Sequence, residues 1–557
     1  MPSTVRQLAT CSAFLACALG PAAAQEPALK PQPPADAPVP QKIPSFAELE
    51  AAGATVGAIH IDNRDIFDRE DPKENGVLYR AANALHIRTR REVIQRQLLF
   101  KSGERVSVHL VEETERLLRL NKFVYDVTIR PVAYHDGVVD IEVRTQDTWT
   151  LQFGVSAGRE GGSTSHGMTL RDNNALGTGV QVGIERSSEF DRTGTEYRIT
   201  DNHAFDGWTT VDYALTQFSD GEHRSFSLTR PFYALDTRWA AGFTGSKDQR
   251  IDSVYTNGIV AGQYHHKQDS AQVFGGLSKG LVEGWVHRYS AGLDYSKDAY
   301  SLDPALPTPT QLPQDNTRVA PFLRYEVLQD SYEKLKNRDL VERPEYFLLG
   351  WQSQVQLGRA FTGLGATQNQ WLYSASASDG FKLSEGQTVL SSASISVQSG
   401  YDSFDSQSVS GSIRYYGRPR GDTLFFASLA GDALRDSSSA AQLLLGGDTG
   451  LRGYPRNYQA GKRRVVFTLE ERVYTDWYPF RLFRVGGAVF YDLGRAWGGP
   501  TENTANAGWL SDVGFGLRIV SARAAFGKVT HIDLAFPLNS DPSIKSVQFL
   551  VTTKSSF

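Results

Sequence analysis

Arg452 stands in the run Gly446-Gly447-Asp448-Thr449-Gly450-Leu451-Arg452-Gly453-Tyr454, which is too rich in glycine for a helix or a regular strand. Glycines 446, 447, 450 and 453 permit positive φ and close backbone approach, so the run predicts a tight loop carrying one cation. A guanidinium in such a loop is either solvated or held by carboxylates, because an unpaired charge away from water is costly. Its chemistry is ion pairing. Two downstream carboxylates have the right phase. In Val465 to Tyr474, the side chains of Val465, Phe467, Leu469 and Val473 take one face and leave Glu470 and Arg472 on the other. In Val485 to Trp497, Val485, Val489 and Leu493 leave Phe490, Asp492 and Gly494 opposite. Asp492 and Glu470 are thereby placed to close a charge-assisted clamp on Arg452.

Catalytic groupings are weaker. Tyr264-His265-His266-Lys267 reads as a strand end at a polar rim, and Gly242 to Lys247 is too short for a phosphate loop and reads as a turn. The chain has no nucleophile elbow and no His-Glu-x-x-His pair. The expectation is a non-enzyme with no catalytic, cofactor or metal residues. A formal charge of -4 lacks the basic footprint of a nucleic-acid binder.

The elements that position the clamp follow from the rest of the chain. Met1 to Arg6, the apolar Leu8 to Leu19 and Ala22-Ala23-Ala24 form a secretory leader, assigned to residues 1–24. It contains both cysteines, Cys11 and Cys17, which leaves no thiol for a disulfide or a cysteine–zinc site afterwards. Residues 25–50 are proline-rich and read as a stiff linker. Residues 51–147 read as strand, helix, helix, strand, strand: Val56 to Ile61, Arg88 to Leu98, Val108 to Leu120, Val124 to Pro131 and Val138 to Arg144.

From residue 148 the period becomes two. Trp149, Leu151, Phe153 and Val155 alternate with polar or small residues, as do Val180, Val182 and Ile184, and Ile532, Leu534 and Phe536. No stretch is apolar enough for a membrane helix. Alternation over some 400 residues predicts an all-β antiparallel transmembrane barrel of about 16 strands spanning 148–557, with a lumen loop near 446–456. Three long connections, Leu302 to Thr317, Asp330 to Glu345 and Leu434 to Arg463, read as facing outward.

The ordered set Leu451-Arg452-Gly453-Tyr454, Glu470-Glu471-Arg472 and Phe490-Tyr491-Asp492-Leu493-Gly494-Arg495-Ala496-Trp497 resembles the bacterial surface-antigen superfamily. That superfamily comprises the BamA- and TamA-like assembly barrels and the two-partner secretion transporters. Asp172 to Gly177, Gly514 to Arg518 and Leu534 to Leu538 extend the resemblance, and residues 51–147 resemble a single POTRA domain. The resemblance implies an Arg452–Asp492 clamp with Glu470 as second acceptor, a C-terminal targeting residue at Phe557 and an outer-membrane site with the N-terminal domain in the periplasm. It also implies unfolded polypeptide clients, handled at a lateral seam and by β-augmentation, and lipoprotein partners at the POTRA-like domain. A single such domain is fewer than those relatives carry. A dedicated two-partner transporter and a passive channel are the alternative readings.

Overall fold

The computed structural model describes residues 43–554, apart from 161, 190, 257, 340–343, 401–403, 418–421, 437–440, 448, 499–507, 522–528 and 540–543. The leader, most of the proline-rich stretch and Phe557 lie outside the described residues.

The N-terminal domain runs α1 (Phe46–Ala51), β1 (Thr55–Arg64), α2 (Val77–Leu85), α3 (Arg91–Gln95), α4 (Val108–Arg119), β2 (Val124–His135) and β3 (Val138–Asp147). The sheet order is β1-β3-β2, with β1 parallel to β3 and β2 antiparallel to it. Its core is one cluster that includes Leu49, Val56, Ile94, Leu118, Phe123 and Ile141. Three elements differ from the sequence reading, one of them α2, which that reading did not include. The linker assigned to 25–50 ends in helix, because Ser45 and Glu48 form a capping box that starts α1. The helix expected over Arg88 to Leu98 shrinks to α3. Thr89 is tied by its amide and hydroxyl to Asp147, and the Arg90 amide donates to the Gly177 carbonyl at 2.9 Å, which holds the chain extended up to Arg90.

From Leu151 the chain forms a closed barrel of 20 strands, ending at Gln548–Lys554, with every neighbour antiparallel. The expectation of about 16 is therefore too low. In Gln352–Ala360 and Gln387–Ser399, serines and glutamines face the lumen and small residues such as Ala393 face outward. There the apolar–polar contrast is faint. Elsewhere the alternation is plain: Leu151, Phe153 and Val155 are exposed on the outer face, while Gln152 is buried. Wall height varies. Trp239–Thr256, Ile259–Val282 and Trp285–Ser301 have 18, 24 and 17 residues, whereas Leu151–Glu160, Ser163–Asp172 and Val529–Pro537 have 10, 10 and 9.

Among the described residues, the seam between the last strand and the first carries one registered pair, Val551 opposite Arg159. Its neighbour pairing, Val529–Pro537 with the last strand, is registered from Val529↔Lys554 to Ala535↔Gln548.

The expectation that Asp330 to Glu345 faces outward is overturned. Strand parity places this connection at the barrel end that carries the N-terminal domain, and its charges are spent on protein partners. Tyr332–Lys336 and Pro344–Leu348 pair as a hairpin. Lys334 Nζ lies 3.0 Å from Glu115 Oε1 of α4, and Arg116 sits 4.4 Å over the Tyr332 ring. At the far end of the hairpin, the Tyr416 hydroxyl donates to Asp339 at 3.0 Å inside the barrel.

Candidate functional site

Between Thr423–Asp436 and Arg463–Tyr474, the chain leaves the wall and folds back into the lumen. Leu445, Leu451, Tyr454 and Tyr458 anchor this loop in a small apolar cluster with Ala496 and Leu510 of the wall. Gly450 has φ +110°, which an L side chain resists. A Cβ on Gly453 would come 2.6 Å from the Cβ of Asp512, so only glycine lets the loop lie this close to the wall. Gly446 and Gly447 turn the chain at the loop's start, where the Gly447 amide donates to the Pro455 carbonyl at 3.3 Å. The Tyr454 hydroxyl lies 2.9 Å from both the Ser511 carbonyl and Asn539 Oδ1.

This anchoring aims Arg452 at two strands. Its Nε donates to Asp492 Oδ2 at 2.6 Å and its Nη2 to Asp492 Oδ1 at 2.9 Å, a two-point fork. Nη1 donates to Glu470 Oε1 at 2.7 Å. The guanidinium lies 3.4 Å from the centre of the Phe490 ring, so one face is covered by π electrons while the edge is spent on carboxylates. Thr468 adds a hydroxyl donor to Asp492 Oδ1 at 2.8 Å. The structure thus brings Arg452, Asp492 and Glu470 together. The loop glycines support them, and Phe557 lies outside the described residues.

The sequence reading missed how far this cluster extends. Glu470 Oε2 accepts from Arg472 Nε at 2.9 Å, and Arg518 Nη2 stands 3.9 Å from Glu470 Oε1 while its Nη1 pairs with Asp533. Asp512 sits directly across the strand pair from Asp492, and both are fully buried. Arg472 Nη1 also donates to the Arg338 carbonyl of the connection 330–351 at 3.0 Å. A continuous polar chain therefore runs from the lumen loop through Glu470 and Arg472 to the segment that binds α4. Strand phase signals the inward direction of Arg472, Asp512, Arg518 and Asp533, but which of them meet depends on register between strands.

A second polar cluster docks the N-terminal domain. Glu113 Oε1 of α4 accepts from the Leu235 amide at 2.8 Å, in the turn before Trp239–Thr256. His109 Nε2 stands 3.3 Å from Glu113 Oε2 and 3.8 Å from Asp236, and its Nδ1 is 3.5 Å from Asp330. The Glu113 carboxylate beside it raises the His109 pKa above its ordinary value against the opposing effect of burial, with Asp330 and Asp236 adding to the rise. Burial pushes Glu113 upward, but His109, the Leu235 amide and Arg116 outweigh it and hold the carboxyl below its usual range.

His266 is not at a strand end as expected. It lies within the long strand Ile259–Val282, 2.8 Å from Asp252 and 3.1 Å from Asp298 across its two neighbours. Gly242 to Lys247, read as a turn, is part of the strand Trp239–Thr256.

No protein-family model matches the chain, and no curated protein matches it. Among solved structures, the chain is similar to BamA from Haemophilus ducreyi lacking POTRA domains 1–3, at 12% identity and a TM-score of 0.39, covering 89% of this chain and 84% of that one. It is similar to CdiB from Acinetobacter baumannii at 12% identity and a TM-score of 0.45, covering 90% and 73%. CdiB from Escherichia coli gives 12% identity and a TM-score of 0.46, covering 90% and 76%.

Proposed function

We propose that this chain is an outer-membrane barrel that assembles or translocates polypeptides, with the N-terminal domain on the periplasmic side. The observation that carries the reading is the seam between the last strand and the first, where the described residues register one pair, Val551 opposite Arg159. Opening this seam frees backbone groups that template an incoming strand by β-augmentation. The outer face supports the membrane site: exposed Phe153, Val155, Val489 and Phe515 present an apolar belt that has no place in water. Edge strand β2 gives the N-terminal domain a second strand-pairing surface near the mouth. The Arg452 clamp braces the wall beside these moving parts, so Arg452→Ala impairs client handling more than it impairs the protein's own insertion.

The test is depletion of the protein followed by parallel proteomics of outer membrane and culture medium. Loss of several integral barrels from the membrane identifies an assembly factor. Loss of one large secreted protein with membrane barrels intact identifies a dedicated two-partner transporter. No change in either overturns the proposal in favour of a passive channel.

A further inference from the structure

Helix α2 is amphipathic with its faces inverted. Tyr79 and Asn83 point into the protein, where the Phe67 ring lies 4.8 Å from that of Tyr79 and the Asn83 side chain bonds both the amide and the carbonyl of Phe67. The outward arc is Val77, Leu78, Ala81, Ala84 and Leu85, all apolar and all exposed, with Val77 and Leu85 each 75% accessible. A helix on a water-facing surface puts its apolar arc inward. This one does the opposite.

Both ends of the segment are pinned to turns of the barrel wall. On one side, Arg481 Nη1 lies 3.0 Å from Asp71 and 3.2 Å from Glu74, and the Tyr79 hydroxyl donates to the Phe480 carbonyl at 3.2 Å. On the other, the Arg90 amide donates to the Gly177 carbonyl, and Asn174 Nδ2 donates to Thr89 Oγ1 at 2.7 Å. Turn 475–482 leads into Phe483–Trp497, and turn 173–179 follows Ser163–Asp172, so the seam lies between the two anchor points in strand order. Exposed apolar side chains stand at both anchors. Trp477 and Phe480 flank the first, and Leu176 and Phe205 flank the second. The outward face of α2 lies in the chain between these two anchors.

We propose that α2 is an interfacial helix whose outward face beds in the acyl chains of the bilayer at the base of the seam. Its partner is a lipid surface, and the polar tethers make it a strap fixed to the wall on either side. Arg80, exposed beside the apolar arc, donates one N–H to the Asn75 carbonyl at 3.0 Å and has further donors for headgroup phosphates. The inference rests on the membrane-spanning reading of the barrel.

The test uses the full chain with Cys11 and Cys17 replaced by serine, folded into phosphatidylethanolamine–phosphatidylglycerol vesicles. Single variants Val77→Cys, Leu78→Cys and Leu85→Cys are labelled with an environment-sensitive fluorophore. Phe515→Cys on the outer wall and Ser410→Cys in the lumen serve as references. The expected result is loss of most fluorescence to lipids carrying a nitroxide on the acyl chain, as at 515, with little loss to aqueous iodide. Quenching by iodide but not by lipid overturns the proposal. So does protection from both quenchers, which means that another protein surface covers the helix. Failure of the lipid to quench the 515 label overturns the membrane reading itself, a separate outcome.

Discussion

Removing the Arg452 side chain tests how much the clamp contributes. The guanidinium makes three charge-assisted hydrogen bonds, and its side chain and those of its partners are each less than a tenth exposed. Breaking a buried pair by deleting one partner typically costs about 3–5 kcal/mol. Here the lower end applies. Glu470 keeps Arg472 at 2.9 Å and has Arg518 at 3.9 Å, so Asp492 alone loses its cation and is left with the Thr468 hydroxyl, with Asp512 directly opposite. Arg452→Ala should therefore destabilise the folded barrel by about 3 kcal/mol, most of it the penalty of an orphaned carboxylate. The assay is urea unfolding from detergent micelles, with heat-dependent gel mobility as a second readout. If the orphan charge is the cause, adding Asp492→Asn restores part of the loss, and the double variant is more stable than Arg452→Ala alone. A double variant that loses the sum of the two single effects would refute the argument, because additive losses mean that Arg452 and Asp492 do not interact.

Asp512→Asn should be neutral or stabilising in the same unfolding assay, because like carboxylates directly across a strand pair repel, whereas Asp492→Asn should be clearly destabilising; equal losses would contradict the assignment. The His109 cluster predicts pH-dependent docking of the N-terminal domain. A histidine whose pKa is raised in the folded state contributes fully below its ordinary value of 6.5, and that contribution is lost as pH rises through the folded value. Glu113, held low, contributes above its ordinary value and loses that contribution only as pH falls through its folded value. Amide exchange in α4 should therefore speed up from about pH 6 to about pH 8 beyond the intrinsic rate increase. His109→Gln should flatten that excess, and an unchanged profile would count against it. A disulfide between Arg159→Cys and Val551→Cys, opposite residues about 5 Å apart at Cα, should lock the seam and abolish client handling until reduced. Full activity in the cross-linked protein would refute a role for seam opening.

The parts legible in the sequence are those with a local cause. Alternation at Leu151, Phe153 and Val155 reflects a wall with unlike faces, and the phases of Glu470 and Asp492 follow from Phe467, Leu469, Val489 and Leu493 beside them. What was not legible depends on distant partners. Asp330 to Glu345 carries enough charge to read as a solvated loop. Nothing local reveals that Lys334 meets Glu115, more than 200 residues away, or that Asp339 meets Tyr416. Helix α2 escaped because Gly76 gives it no side-chain cap to mark its start. The Asp252–His266–Asp298 contact needs three strands in register, which no single stretch of sequence records.

The uneven wall has a consequence for the lipid around it. At about 3.3 Å per residue and a tilt of roughly 40°, a 10-residue strand beside the seam rises about 25 Å, which just matches the apolar band of such barrels. The 24-residue strand Ile259–Val282 rises to about 60 Å by the same arithmetic. Outward-facing Lys247, Asp269 and Lys297 line up across neighbouring strands there, so the extra height stands clear of hydrocarbon. Hydrophobic mismatch is thus unequal around the circumference. On the tall side these charges hold the hydrocarbon edge with paired wall still beyond it, while the seam side has no wall beyond its apolar band. Thickening the membrane loads the seam first.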